Sequence, residues 1–149
     1  MSSTRQLTLS PARQRLVRES FQSIRDYEVS VVLLFYGRLF ETAPDVRALF
    51  KINIREQARK LMDTLGMVVD ALDRFEALRP VLEELGRRHV SYGVQPQHYQ
   101  LLCSALVWAM GQALSVEFDR ETKAAWSELL SAVSSVMLEG AAQQASTGN

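Results

Sequence analysis

Apolar residues in this chain recur every three or four positions and almost nowhere at every second one. That spacing gathers them on one face of a helix, and no segment shows the alternation that gives a sheet one dry and one wet surface. Four prolines and seven glycines interrupt the pattern, so the chain reads as all-α.

The helices can be placed from their punctuation. Ser10-Pro11 supplies a cap and a first-turn proline, and Leu16, Val17, Phe21 and Ile24 continue one apolar face behind it. A second helix starts near Tyr27 and carries Val32, Leu33, Tyr36, Leu39 and Phe40. Ala43-Pro44 breaks it and opens a short helix with Val46, Leu49 and Phe50. After the link KINIRE, a long helix over 55–75 turns Ala58, Leu61, Leu65, Val68, Val69 and Leu72 inwards. Pro80 restarts the chain for a helix ending at His89, and SYGVQPQ is a loop. Two long helices follow, over 96–114 and 119–139.

At 149 residues one domain is expected, burying roughly 68 to 70% of the surface of the unfolded chain. The domain spans 9–139, behind an N-terminal extension over 1–8. The tail over 140–149, GAAQQASTGN, has little to bury and is expected to fray.

Seventeen basic residues are scattered among 17 acidic ones. No cationic stripe is available to neutralise a phosphate backbone, which argues against nucleic acid. No window reaches the roughly 18 consecutive apolar residues of a membrane span, and MSSTRQLTLS lacks the apolar centre of a signal peptide. A soluble, cytoplasmic protein is expected. The lack of a large exposed apolar helix favours a monomer over an oligomer. The single cysteine, Cys103, lies between Leu102 and Leu106 on an apolar face, which excludes an internal disulfide and a cysteine-based zinc cluster.

Three polar residues occupy positions where the helical pattern calls for hydrophobes. Tyr36 follows Val32 and Leu33, Gln57 precedes Leu61 by one turn, and His89 continues the stripe of Leu82 and Leu85. Singly, each is a satisfied core residue or a half-exposed helix end. A bare metal site needs several convergent ligands, and the chain has two histidines, His89 and His98, with no HExxH, EF-hand loop or CxxC. A tetrapyrrole changes that requirement, because its ring supplies four nitrogens and the protein need add one imidazole. Without CxxCH such a haem is held non-covalently, as haem b. His98 reads as exposed. Arg87 and Arg88 read either as a solvated face or as propionate contacts, and Trp108 and Trp126 as packing residues.

The order FYGRLF, APDVRALF, REQARKLM, LGRRH, YGV and KAAW resembles a globin over roughly residues 8 to 139. It most resembles the bacterial single-domain branch related to the globin half of flavohaemoglobins, which includes the Vitreoscilla-type and Hell's Gate-type globins. The resemblance implies a globin fold around haem, with His89 as the proximal iron ligand and Phe50 as the ring wedged against the macrocycle. Tyr36, Gln57 and Leu61 match the distal positions. Lys60 matches a propionate contact, Val94 the corner beside the haem, and Tyr99 a proximal-side tyrosine. Where flavohaemoglobins carry a glutamate bonded to that tyrosine, this chain aligns Gln143, a neutral amide.

On this resemblance the default acceptor for the second N–H of His89 is the carbonyl near Leu85. A neutral proximal side favours stable dioxygen binding over O–O cleavage. Donors from Tyr36 and Gln57 would then each contribute ~1.5 to 3 kcal/mol to a ligand with superoxide character. The expected ligands are dioxygen, carbon monoxide and nitric oxide, and the expected role is oxygen storage, transport or buffering. The alternatives are nitric oxide dioxygenation, which needs a separate reductase because no dinucleotide fingerprint is present, and a gas or redox sensor. A helical module without haem would make Tyr36, Gln57 and His89 plain core residues.

Overall fold

The computed structural model describes residues 9–49 and 53–147. Six α-helices run in the order α1 Pro11–Asp26, α2 Glu28–Thr42, α3 Ile54–Asp70, α4 Arg79–Ser91, α5 Pro96–Leu114 and α6 Arg120–Thr147. Short 3-10 helices at Pro44–Leu49, Leu72–Leu78 and Ser115–Glu117 connect them, and no strand occurs among the described residues. The expected all-α fold is therefore the observed one.

Local chemistry sets the helix starts. The Ser10 hydroxyl accepts from the Arg13 N–H at 3.2 Å, with Pro11 in the first turn. The Asn53 side chain accepts from the Arg55 N–H at 2.8 Å, and the Asp119 carboxylate accepts from the Thr122 N–H at 2.9 Å. α5 begins at Pro96 and ends at Leu114, the bounds read from sequence.

The helix expected over 55–75 stops at Asp70, and Leu72–Leu78 winds as a 3-10 helix with non-helical angles at Arg74. Leu72, Phe75 and Leu78 are all buried. Their spacing of three is also the period of a 3-10 helix, so the apolar pattern alone does not separate the two.

A second difference lies at the C-terminus. α6 continues to Thr147, through most of the segment expected to fray. Gly140 is buried against the main chain of Glu83 on α4, and Gln143 accepts a hydrogen bond from Arg87. Contacts of a glycine backbone and a polar tip hold this segment, and neither registers as hydrophobicity.

α4 packs mainly on α6, α2 on α5, and α1 on α6. Trp126, Ile24, Leu39, Leu82, Met110 and Leu129 are fully enclosed between them. The Trp126 Nε1–H donates to Ser20 Oγ at 2.8 Å, and the Ser20 hydroxyl donates to the Leu16 carbonyl at 2.6 Å, which satisfies both polar groups in the core. Cys103 is half-buried, with its sulfur 3.1 Å from Ser134 Oγ, and burial pushes the thiol up in pKa.

The stretch Pro96–Glu117 matches a membrane span in length and hydropathy. Its Ala105, Leu106, Val107, Ala109 and Met110 are nevertheless buried in the helical core, and a helix enclosed by others is apolar on most sides.

Candidate functional site

α4 delivers His89 on the same face as Leu82 and Leu85, and the ring is half-buried. Its Nδ1 lies 2.8 Å from the Leu85 carbonyl oxygen. A carbonyl can only accept, so Nδ1 carries the proton and Nε2 keeps its lone pair. The expected acceptor one turn back is the one found. No described residue bonds Nε2. Burial pulls the His89 pKa below its ordinary value, opposed by the bond to Leu85. The ring is accordingly neutral at neutral pH, the form that ligates a metal.

The chain turns sharply after this residue. The Tyr92 N–H donates to the carbonyls of Arg88 and His89, and the Val94 N–H donates to the His89 carbonyl at 3.0 Å. Between them Gly93 adopts φ 90°, a left-handed conformation that glycine takes without steric cost. The turn brings Tyr99 of α5 beside the histidine, with ring centroids 6.4 Å apart. Tyr99 is buried and its hydroxyl has no partner among the described residues. Burial also raises its pKa. His89 thus has Val94 bonded to its carbonyl and the Tyr99 ring beside its own.

Tyr36 stands on α2, and Gln57, Lys60 and Leu61 on α3. Tyr36 is buried on α2, its ring 5.0 Å from Phe35 and stacked 5.6 Å from Phe40. Burial pushes its pKa up to about 12, so the phenol keeps its proton and can donate. Gln57 and Leu61 lie one turn apart on α3, both half-buried, and Lys60 is exposed beside them. Phe50 lies outside the described residues.

α3 packs on α1 and α2 while α4 packs on α6, and the two share the Leu72–Leu78 turn. Leu61, Leu85, Val94 and Leu102 are only half-buried although they adjoin the core. A separate cleft of about 520 Å³, with Arg25, Met62, Gly66 and Arg74 in its wall, opens on another side of α3. Met62 and Gly66 point away from the face that carries Gln57 and Leu61, so that cleft holds none of the predicted residues.

Several contributors escaped the sequence reading. His98 is buried rather than exposed: its Nδ1 accepts from the Gln95 N–H at 2.9 Å and its Nε2 lies 3.8 Å from Asp45. It caps the start of α5, a use of histidine that hydrophobic periodicity does not reveal. Arg87 donates to Gln143 at 2.8 Å and to Glu84 at 3.1 Å. Trp108 lies half-buried beneath the Arg38 guanidinium at 4.9 Å.

This donor set suits a tetrapyrrole. Among the described residues no three His, Cys, Asp or Glu side chains converge as they would around a bare ion. One fixed imidazole with an open Nε2 and half-covered apolar side chains fit a flat apolar macrocycle that needs one ligand from the protein.

Residues 33–137 match the globin family. The chain is a globin. It is 27% identical to neuroglobin of Danio rerio over 146 residues, covering 89% of this chain and 92% of that protein. It is 22% identical to a flavohemoprotein of Halalkalibacterium halodurans, covering 89% of this chain and 33% of that protein, so it spans about a third of that relative. Among solved structures it resembles an engineered carbene transferase from Rhodothermus marinus, described as a candidate nitric oxide dioxygenase. The TM-score is 0.83 and the identity 27%, over 93% of this chain and 97% of that one. Globins bind haem iron, and this globin's residues fit that group.

Proposed function

We propose that this globin holds haem b non-covalently through His89 and binds dioxygen reversibly with high affinity. The observation that carries this reading is the bond from Nδ1–H of His89 to the Leu85 carbonyl at 2.8 Å, which fixes the tautomer and leaves Nε2 as ligand. When bound, haem would supply an iron that accepts diatomic ligands.

The chain's own residues do the rest. Tyr36, kept protonated by burial, offers an O–H to a ligand that gains negative charge, and Gln57 offers an amide N–H. Leu61 limits the ligand's size. Val94 contributes to the apolar wall, and Lys60, exposed on α3, reaches a propionate; for Phe50, outside the described residues, the wedging role stays what the resemblance implies. The Leu85 carbonyl, a neutral acceptor, moderates the basicity of the histidine. That arrangement favours holding dioxygen over cleaving it.

The test is an absorption spectrum of the haem-supplemented protein in ferric, reduced, CO-bound and air-exposed forms, beside His89→Ala. A Soret band that shifts with CO and depends on His89, with a slowly decaying oxygenated form, supports the proposal. A spectrum indifferent to His89 sinks it.

The Rhodothermus relative, described as a candidate nitric oxide dioxygenase, favours a second reading. Nitric oxide, dioxygen and one electron would combine to nitrate, the electron coming from a separate reductase. Rapid stoichiometric nitrate formation when nitric oxide meets the oxygenated protein, with turnover on adding a reductase, would select this reading over storage.

A further inference from the structure

α4 and α6 approach each other more closely than side chains at the contact would allow. A methyl group on Gly86 would fall on the main-chain carbonyl of Met137, and a methyl group on Gly140 would fall on that of Glu83. The two collisions are reciprocal, since each glycine follows by three residues the position that the other one touches. Backbone meets backbone in both directions, an approach that only residues without Cβ permit. It also aims Cα–H groups at carbonyl oxygens, a weak but recurrent contact between helices.

Polar side chains also bridge the two helices. Arg79 pairs with Glu139, and Arg87 donates to Gln143. The crossing adjoins His89 along α4. Gly86 precedes His89 by less than one turn and follows Leu85, whose carbonyl holds Nδ1.

We infer that Gly86 and Gly140 are positioning residues for His89: by letting α4 rest on the main chain of α6, they fix the depth and tilt at which the imidazole reaches the iron. The inference rests on His89 being the ligand. A Cβ at either position separates the helices and moves the ring with its carbonyl acceptor. At Gly37 the same change meets nothing, because an added Cβ there has no neighbour within 4 Å.

The test is resonance Raman of the ferrous protein, reading the iron–histidine stretching band. Gly86→Ala and Gly140→Ala are each expected to shift or split the band, while Gly37→Ala leaves it in place. Should Gly86→Ala be too unstable to purify, Gly140→Ala carries the same test from the other helix. The same substitutions are then made in His89→Gly supplied with imidazole, whose ligand is not attached to α4. There the band is expected to ignore them. An unmoved band in the His89 chain, or an equal shift with free imidazole, overturns the inference alone. A parent band that survives His89→Gly without imidazole overturns the ligand assignment, and the inference with it.

Discussion

Arg87 of α4 donates a hydrogen bond to Gln143 of α6 at 2.8 Å, while the Tyr99 hydroxyl, on the same side of the molecule as His89, is buried without a partner among the described residues. The amide aligned with the flavohaemoglobin glutamate is thus engaged by a cation on the surface. Among the described residues no carboxylate reaches His89 through Tyr99. Leu85 is the acceptor that tunes it.

The orphaned hydroxyl makes Tyr99→Phe a sharp test. An unsatisfied buried polar group costs about 1 to 3 kcal/mol, so removing it while keeping the ring is expected to leave stability unchanged or raise it by about 1 kcal/mol. Urea unfolding of the haem-free and haem-bound protein checks this. A loss above about 1 kcal/mol would mean that the hydroxyl has a bonding partner in solution.

In the proposed oxygen-binding site, Tyr36→Phe and Gln57→Leu each remove a donor from the bound ligand. Bonds to a partly charged acceptor are worth about 1.5 to 3 kcal/mol, and about 1.4 kcal/mol is tenfold in affinity. Each change is expected to speed dioxygen dissociation about tenfold or more in stopped flow. The tyrosine, with its pKa pushed up to about 12, should hold the parent rate constant between pH 7 and pH 10. Rates indifferent to both substitutions would remove the distal mechanism.

How far the sequence alone reached depends on which physical signal a residue leaves. The period of the apolar positions placed α1, α2 and α5, and the i−4 rule placed the Leu85 carbonyl on His89. Leu72, Phe75 and Leu78 misled because a spacing of three fits two kinds of helix. His98 was read as exposed because its role lies in a main-chain bond to Gln95. Gly140 looked like a helix end in a polar tail, whereas its missing side chain is what lets α6 meet α4. Contacts made by backbone or by absent atoms leave no hydrophobic pattern to read.

The Ser20–Trp126 pair predicts an effect on stability away from the site. Ser20 Oγ accepts from the fully buried indole at 2.8 Å. Ser20→Ala leaves that N–H without an acceptor and is expected to cost about 1 to 3 kcal/mol. For a chain of this length each kcal/mol lowers Tm by roughly 2 to 4 °C. Calorimetry of the variant reads it directly, and an unchanged Tm would show that the indole finds another acceptor.

Acid should act on the fold through His89. Burial lowers its pKa in the folded chain below the ordinary value near 6.5. As pH falls through 6.5 the unfolded chain takes up a proton that the folded chain refuses, so folding stability declines until pH reaches the lowered folded value and is flat in this group below it. The sign is therefore a loss on acidification, with full stability above the unfolded value. In the haem-free protein, His89→Leu is expected to abolish this segment of the pH–stability profile measured by urea unfolding. In the loaded protein the proton competes with iron for Nε2, so haem release should begin on the same acid side and be absent above pH 7. A haem-free profile identical in parent and His89→Leu would mean that the imidazole is as free to protonate in the fold as in water, and would remove burial as the reason the ring is kept neutral for its metal.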